Sequence, residues 1–90
     1  MDRPIRMLRV SPRFERSFRR LPTRIQKLAD SKTAWFKANA YDARLKTHAL
    51  SGKLEGYYAF WVNREYRILF QFLSTNEALF IDIGTHALYR

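Results

Sequence analysis

The side chains that could do chemistry here form a short set: His48, Lys53, Glu65, Arg67, His86 and Tyr89. Arg67 is the sharpest of them, standing inside the run Tyr66-Arg67-Ile68-Leu69-Phe70. A charge in so apolar a strand must face solvent, pair with a carboxylate such as Glu65 or Asp82, or bind an anion. His86 follows Gly84-Thr85 near the end of the sequence. Histidine titrates near neutrality and can serve as general acid or base, although a loop histidine capping a strand end is the plainer account of it. Tyr89 could orient a phosphate or stack on a base, or it could plug the core. His48 lies in a polar loop, where a solvated histidine is the plainer account, and Lys46 and Lys53 could be surface charge. Metal-independent RNA cleavage suits this set better than other reactions do. It needs one group to deprotonate the ribose 2′-hydroxyl, one to protonate the leaving 5′-oxygen, and cations around the phosphorane-like transition state. Histidine and tyrosine could move the protons, with Arg67 and Lys53 supplying charge.

Other chemistries lack their signatures. There is no glycine-rich phosphate loop, no HExxH and no serine in an elbow-like context. Cysteine is absent, which excludes a disulfide scaffold, thiolate chemistry and cysteine-based zinc sites. No metal and no cofactor is therefore expected. The longest apolar run, Tyr57 to Val62, is far short of a membrane span. Arg3, Arg6 and Arg9 have no apolar stretch behind them, so the start does not read as a secretory signal, and the expectation is a soluble cytoplasmic protein.

The chain has 90 residues, room for a single domain spanning residues 1–90. Its 47% hydrophobic and 16% aromatic content can build a core. The formal charge of +9 calls for a polyanionic partner, nucleic acid or an acidic protein. That charge is graded along the chain: residues 1–30 carry nine basic and three acidic side chains, residues 61–90 three of each.

The elements that must position the candidate residues follow from period. Arg6 to Val10 reads as an edge strand closed by Ser11-Pro12, a helix cap followed by a first-turn proline. Phe14, Phe18 and Leu21 make one helical stripe, broken at Leu21-Pro22-Thr23. A second helix runs to about Asn39, with Ile25, Leu28, Ala29 and Phe36 inward and Arg24, Lys27, Lys32 and Lys37 outward. Tyr41 to Gly56 shows neither period and reads as irregular backbone. From Tyr57 the period is two: Tyr58, Phe60 and Val62 face one way, Tyr57, Ala59 and Trp61 the other. Asn63-Arg64-Glu65 is a hairpin turn, after which Tyr66, Ile68, Phe70 and Phe72 alternate with Arg67, Leu69 and Gln71. A turn at Ser74-Thr75-Asn76-Glu77 leads to a last strand, Ala78 to Ile83. The order is β-α-α-β-β-β, an α+β fold whose antiparallel sheet carries a two-helix hairpin on one face.

Three stretches, His48-Ala49-Leu50-Ser51-Gly52-Lys53-Leu54-Glu55-Gly56, Tyr66-Arg67-Ile68-Leu69-Phe70 and Ile83-Gly84-Thr85-His86, together with this order of elements, resemble the RelE/ParE superfamily of type II toxin–antitoxin toxins. The resemblance runs from Arg6 to Tyr89. It implies a RelE-like fold and, for the RelE and YafQ branch, a ribosome-dependent endoribonuclease that cuts mRNA during translation. Such a toxin is silenced by a cognate antitoxin, so the implied partners are that antitoxin, mRNA and ribosomal RNA, with the basic helices docking on the last. His86 matches a catalytic position of the RNA-cleaving branch, His48 the loop histidine of YafQ-like members and Arg67 the strand arginine of RelE. Tyr89 stands in for the terminal aromatic. Lys53, Lys46, Arg64 and Glu65 are expected along the RNA and its phosphates. The chain departs from the pattern at Tyr58 and Phe60, where RelE proteins carry lysines, at Trp61, where YafQ-like members carry a second histidine, and at Glu65, where they carry aspartate. The alternatives are a ParE-like inhibitor of DNA gyrase without catalysis, and an inactive member that only binds its antitoxin.

Overall fold

Ser11 decides where the first strand ends and the first helix begins. Its N–H donates to the Phe80 carbonyl (2.9 Å), closing the strand. Its hydroxyl donates to the Ile81 carbonyl (2.8 Å) and accepts from the Phe14 N–H (3.0 Å), which caps the helix. In the computed structural model, which describes residues 2–89, this junction joins β1 (Met7–Val10) to α1 (Pro12–Arg19). Pro12 takes the first helical position, where its missing N–H is no loss. Pro22 separates α1 from α2 (Thr23–Ala38), and the Gln26 amide donates back to the Phe18 carbonyl (2.8 Å) to satisfy the end of α1.

The sheet adds β2 (His48–Ala49), β3 (Tyr58–Trp61), β4 (Arg67–Ser74) and β5 (Glu77–Gly84), in the order β1-β5-β4-β3-β2. Two details differ from the sequence reading. The sheet is mixed, because β1 runs parallel to β5. Only a tight hairpin forces neighbours to be antiparallel, and the chain leaves β1 through both helices instead. Inside the stretch read as irregular, His48 and Ala49 pair with Ala59 and Tyr58 as a fifth strand. A two-residue strand is too short for alternation to reveal it. The flanking backbone is made of 3₁₀ turns at Ala43–Leu45 and Gly52–Leu54.

The core lies between the helices and one face of the sheet. Phe36 of α2 is fully buried, its ring centroid 4.9 Å from that of Phe60, 4.8 Å from Phe70 and 5.4 Å from Phe80. The far face is set by register. Leu69 pairs with Asp82 and Phe70 with Phe80, so Ile81 is an extra residue in β5. Strict alternation from Phe80 would turn Asp82 toward the helices. The bulge reverses that, placing Ile83 in the core and Asp82 on the opposite face, while the Ile81 carbonyl goes to Ser11.

Candidate functional site

Directly paired residues share a face, so the register draws two rows across the side of the sheet away from the helices. One row is Trp61, Arg67 and Gly84; the other is His48, Ala59, Leu69 and Asp82. Arg67 is central to the first. The turn before it is an Asx turn: the Asn63 side-chain oxygen accepts from the N–H groups of Glu65 (2.9 Å) and Tyr66 (2.8 Å). Its carbonyls are thereby aimed at Arg67, whose Nη1 donates to those of Asn63 (2.8 Å), Arg64 (2.9 Å) and Tyr66 (3.3 Å). The guanidinium carbon lies 4.1 Å from the centre of the Trp61 ring, and Arg67 is only 7% exposed.

The expected carboxylate partners are not used. Glu65 is exposed in the turn, and Asp82 accepts from Arg13 of α1 (2.8 Å) and from the Ile83 N–H (2.8 Å). Among the described residues no carboxylate pairs with Arg67. The side chain is charged, buried and tied only to backbone carbonyls through one nitrogen.

Lys46, outside the strands, stands beside the first row. It adopts a left-handed backbone (φ 54°), and its ammonium lies 5.0 Å from the centre of the same Trp61 ring. The exposed His48 ring sits beside it, with Nδ1 2.9 Å from the Lys46 carbonyl. A carbonyl can only accept, so Nδ1 carries a hydrogen and Nε2 is the ring nitrogen left free of this contact. On the opposite side Gly84 lets the chain fold back. A Cβ there would stand 3.3 Å from Leu88 Cδ2, in the 3₁₀ turn His86–Tyr89. That turn holds His86 exposed, its ring centroid 6.2 Å from that of Tyr89 in an edge-on arrangement. The Tyr89 hydroxyl is buried with no hydrogen-bond partner among the described residues. Burial pushes its pKa above the ordinary 10 and outweighs the opposing pull of the Arg67 charge, so at neutral pH the phenol keeps its proton.

The structure thus gathers Lys46, Arg67, Tyr89 and His86, with His48 at the edge of the group. Lys53 stands exposed in its own turn, and Arg64 and Glu65 are exposed and reach Arg67 only through the turn backbone. Sequence reasoning passed over Trp61 as a site residue. The signal was present, since alternation on both hairpin strands puts Trp61 and Arg67 on the side opposite Phe60 and Ile68. Among the described residues no three His, Cys, Asp or Glu side chains lie close enough to hold a metal ion. The arrangement offers two cations, a protonated phenol and two histidines, a set suited to an anion whose reaction moves protons. A separate apolar hollow of about 190 Å³, lined by Leu8, Val10, Phe14 and Phe18, lies between β1 and the helices and contains none of these groups.

Part of the basic surface is tied up internally. Lys32, expected to point outward, is half-buried with its ammonium 3.8 Å from the centre of the Trp35 ring, and the Arg44 guanidinium lies 3.6 Å from the same ring. Asp42 accepts from Arg44 Nε (3.0 Å) and Nη2 (2.8 Å), which holds the Asp42 carboxyl down at about 2. Arg16, Arg19, Arg20, Arg24, Lys27 and Lys37 remain exposed along the helices. Among the described residues no helix is long and apolar enough to cross a membrane.

Two helices on a mixed five-stranded sheet, with this order of elements, is the architecture of the RelE/ParE toxins. The chain superposes on the YoeB/ParE toxin from Agrobacterium tumefaciens with a TM-score of 0.75 at 17% identity, over 89% of this chain and 98% of that one. Against YafQ from E. coli the TM-score is 0.72 at 22% identity, over 93% and 97% of the two chains. In the E. coli DinJ-YafQ toxin-antitoxin complex the matching chain gives 0.73 at 21%, over 92% and 94%. No protein-family model and no curated protein sequence matches the chain.

Proposed function

We propose that this chain is the toxin of a type II toxin–antitoxin pair and an endoribonuclease that cleaves mRNA on the translating ribosome. The observation that carries the reading is the uncompensated Arg67 on the sheet face away from the helices, sharing the Trp61 ring with Lys46 and acting by its charge on Tyr89, beside which His86 stands. Arg67 would bind the scissile phosphate and Lys46 would add charge to the transition state. His86 would serve as acid or base, Tyr89 as a proton donor and His48 Nε2 as a second proton acceptor. Lys53, with the exposed side chains of Arg64 and Glu65, would meet the RNA farther out, and the exposed arginines and lysines of α1 and α2 would dock on ribosomal RNA. The protein partner would be an acidic antitoxin, in keeping with the +9 charge and with solved relatives described as the DinJ-YafQ and RelBE2 toxin-antitoxin complexes. The site of action would be the cytoplasm.

Primer extension on a defined mRNA in a cell-free translation mix, with and without ribosomes, tests this. Cuts confined to translated mRNA and lost in His86→Ala are expected. Intact mRNA with the wild-type protein would refute it. A ParE-like reading keeps a footing because a neighbour is described as YoeB/ParE, and blocked gyrase supercoiling that survives His86→Ala would favour it.

A further inference from the structure

Trp61 has no part in the chemistry above, yet two cations converge on its ring. We infer that Trp61 is a positioning residue, whose indole aligns the Arg67 guanidinium and the Lys46 ammonium on one phosphate-type anion. The inference deepens the proposed function, because Arg67 is the phosphate ligand there, but anion capture can be measured without cleavage.

Three observations carry it. Trp61 and Arg67 are direct register partners on β3 and β4, so their contact is built into the ladder and does not depend on a loop. Arg67 is fixed twice, by the indole 4.1 Å from its central carbon and by three carbonyls on Nη1. Those constraints leave Nε and Nη2 as a preset edge without an acceptor among the described residues, and such an edge suits the paired oxygens of a phosphate. Finally, Lys46 is held 5.0 Å from the same ring, and no carboxylate among the described residues pairs with either cation. Two like charges around one aromatic ring repel each other, and the attraction of each to the ring face offsets part of that cost. An anion bound at the Arg67 edge would lower the rest. An indole is the strongest side-chain partner for a cation, and phenylalanine keeps a weaker version of the same face.

The test is ¹⁵N NMR of the Arg67 Nε–H resonance, assigned by its loss in Arg67→Lys, during titration with inorganic phosphate. The wild type should show a resonance shifted by the indole ring current that moves further as phosphate is added. Trp61→Leu should weaken phosphate binding roughly tenfold, while Trp61→Phe should stay within about threefold of wild type. The surface change Lys46→Gln, which leaves the sheet untouched, should weaken it several-fold. Amide dispersion reports whether each variant is folded, and the Phe variant keeps the test decisive if the Leu variant is not. A wild type that ignores phosphate overturns the inference, as does a folded Leu variant that binds as tightly as wild type. Phosphate binding that depends on Trp61 with no mRNA cleavage in the translation assay would sustain the inference and refute the nuclease reading.

Discussion

Replacing Tyr89 by Phe removes one oxygen and keeps the ring that packs against His86. That oxygen is buried and unpaired among the described residues, and the nearby Arg67 acts on it by charge without a hydrogen bond. An unsatisfied buried polar group costs about 1–3 kcal/mol, and the half-exposed setting of Tyr89 argues for the lower end, about 1 kcal/mol. In a domain of this size that corresponds to a rise in Tm of roughly 4–8 °C. Thermal unfolding followed by circular dichroism at neutral pH reads it, and a urea titration should move its midpoint up with an unchanged slope. The pH dependence has a definite sign. Burial raises the Tyr89 pKa in the folded state, so its protonated form contributes stability below pH 10 that is lost as pH climbs through the raised value. The advantage of Tyr89→Phe should therefore widen above pH 10. The same change removes a proton donor, so cleavage should fall while stability rises, as expected where a strained group serves function. A Tm that falls or stays level would refute the reasoning, because it would mean that the hydroxyl is satisfied in solution.

Gly84→Ala should cost under about 1 kcal/mol, since the new Cβ meets only the Leu88 side chain, at Cδ2 and Cγ, and the backbone is unstrained, yet it should lower cleavage far more by pressing on the turn that carries His86. Comparing Tm with primer-extension yield separates the two effects. Arg13→Ala strips the 8%-exposed Asp82 carboxylate of its only cation among the described residues and should cost about 1–2 kcal/mol, less than for a fully buried pair because Arg13 is itself 60% exposed. Urea denaturation of Arg13→Ala beside Arg13→Ala/Asp82→Asn checks this, with the double variant expected to recover part of the loss. Phe36→Ala opens the aromatic centre and should cost about 3–5 kcal/mol, enough to leave a domain of this size largely unfolded on warming, as a shifted denaturation midpoint would show.

Local signals were legible wherever one residue type has few alternatives. Ser11 followed by Pro12 marks a strand-to-helix junction in any context, because the hydroxyl and the absent N–H answer the needs of a helix start. The stripe beginning with Phe14 and Phe18, the break at Pro22 and the alternation from Tyr58 onward likewise belong to the chain itself, since period decides which side can be buried. Arg67 stood out for the same reason: an ionised group amid apolar neighbours demands a partner. What that partner is depended on the fold. The bulge at Ile81 puts Asp82 on the same face as Arg67, yet its carboxylate is taken by Arg13, which lies far from it in the chain. A bulge inverts every later side chain and leaves no mark in composition. The carbonyls that hold Arg67, the indole shared with Lys46 and the parallel pairing of β1 are likewise products of distant segments meeting. Sequence thus determined which residues needed burial, capping or a counter-charge, because those needs are properties of single side chains and their periodicity. Which groups met those needs was decided only by tertiary structure, because register and chain path bring together residues that no local rule relates.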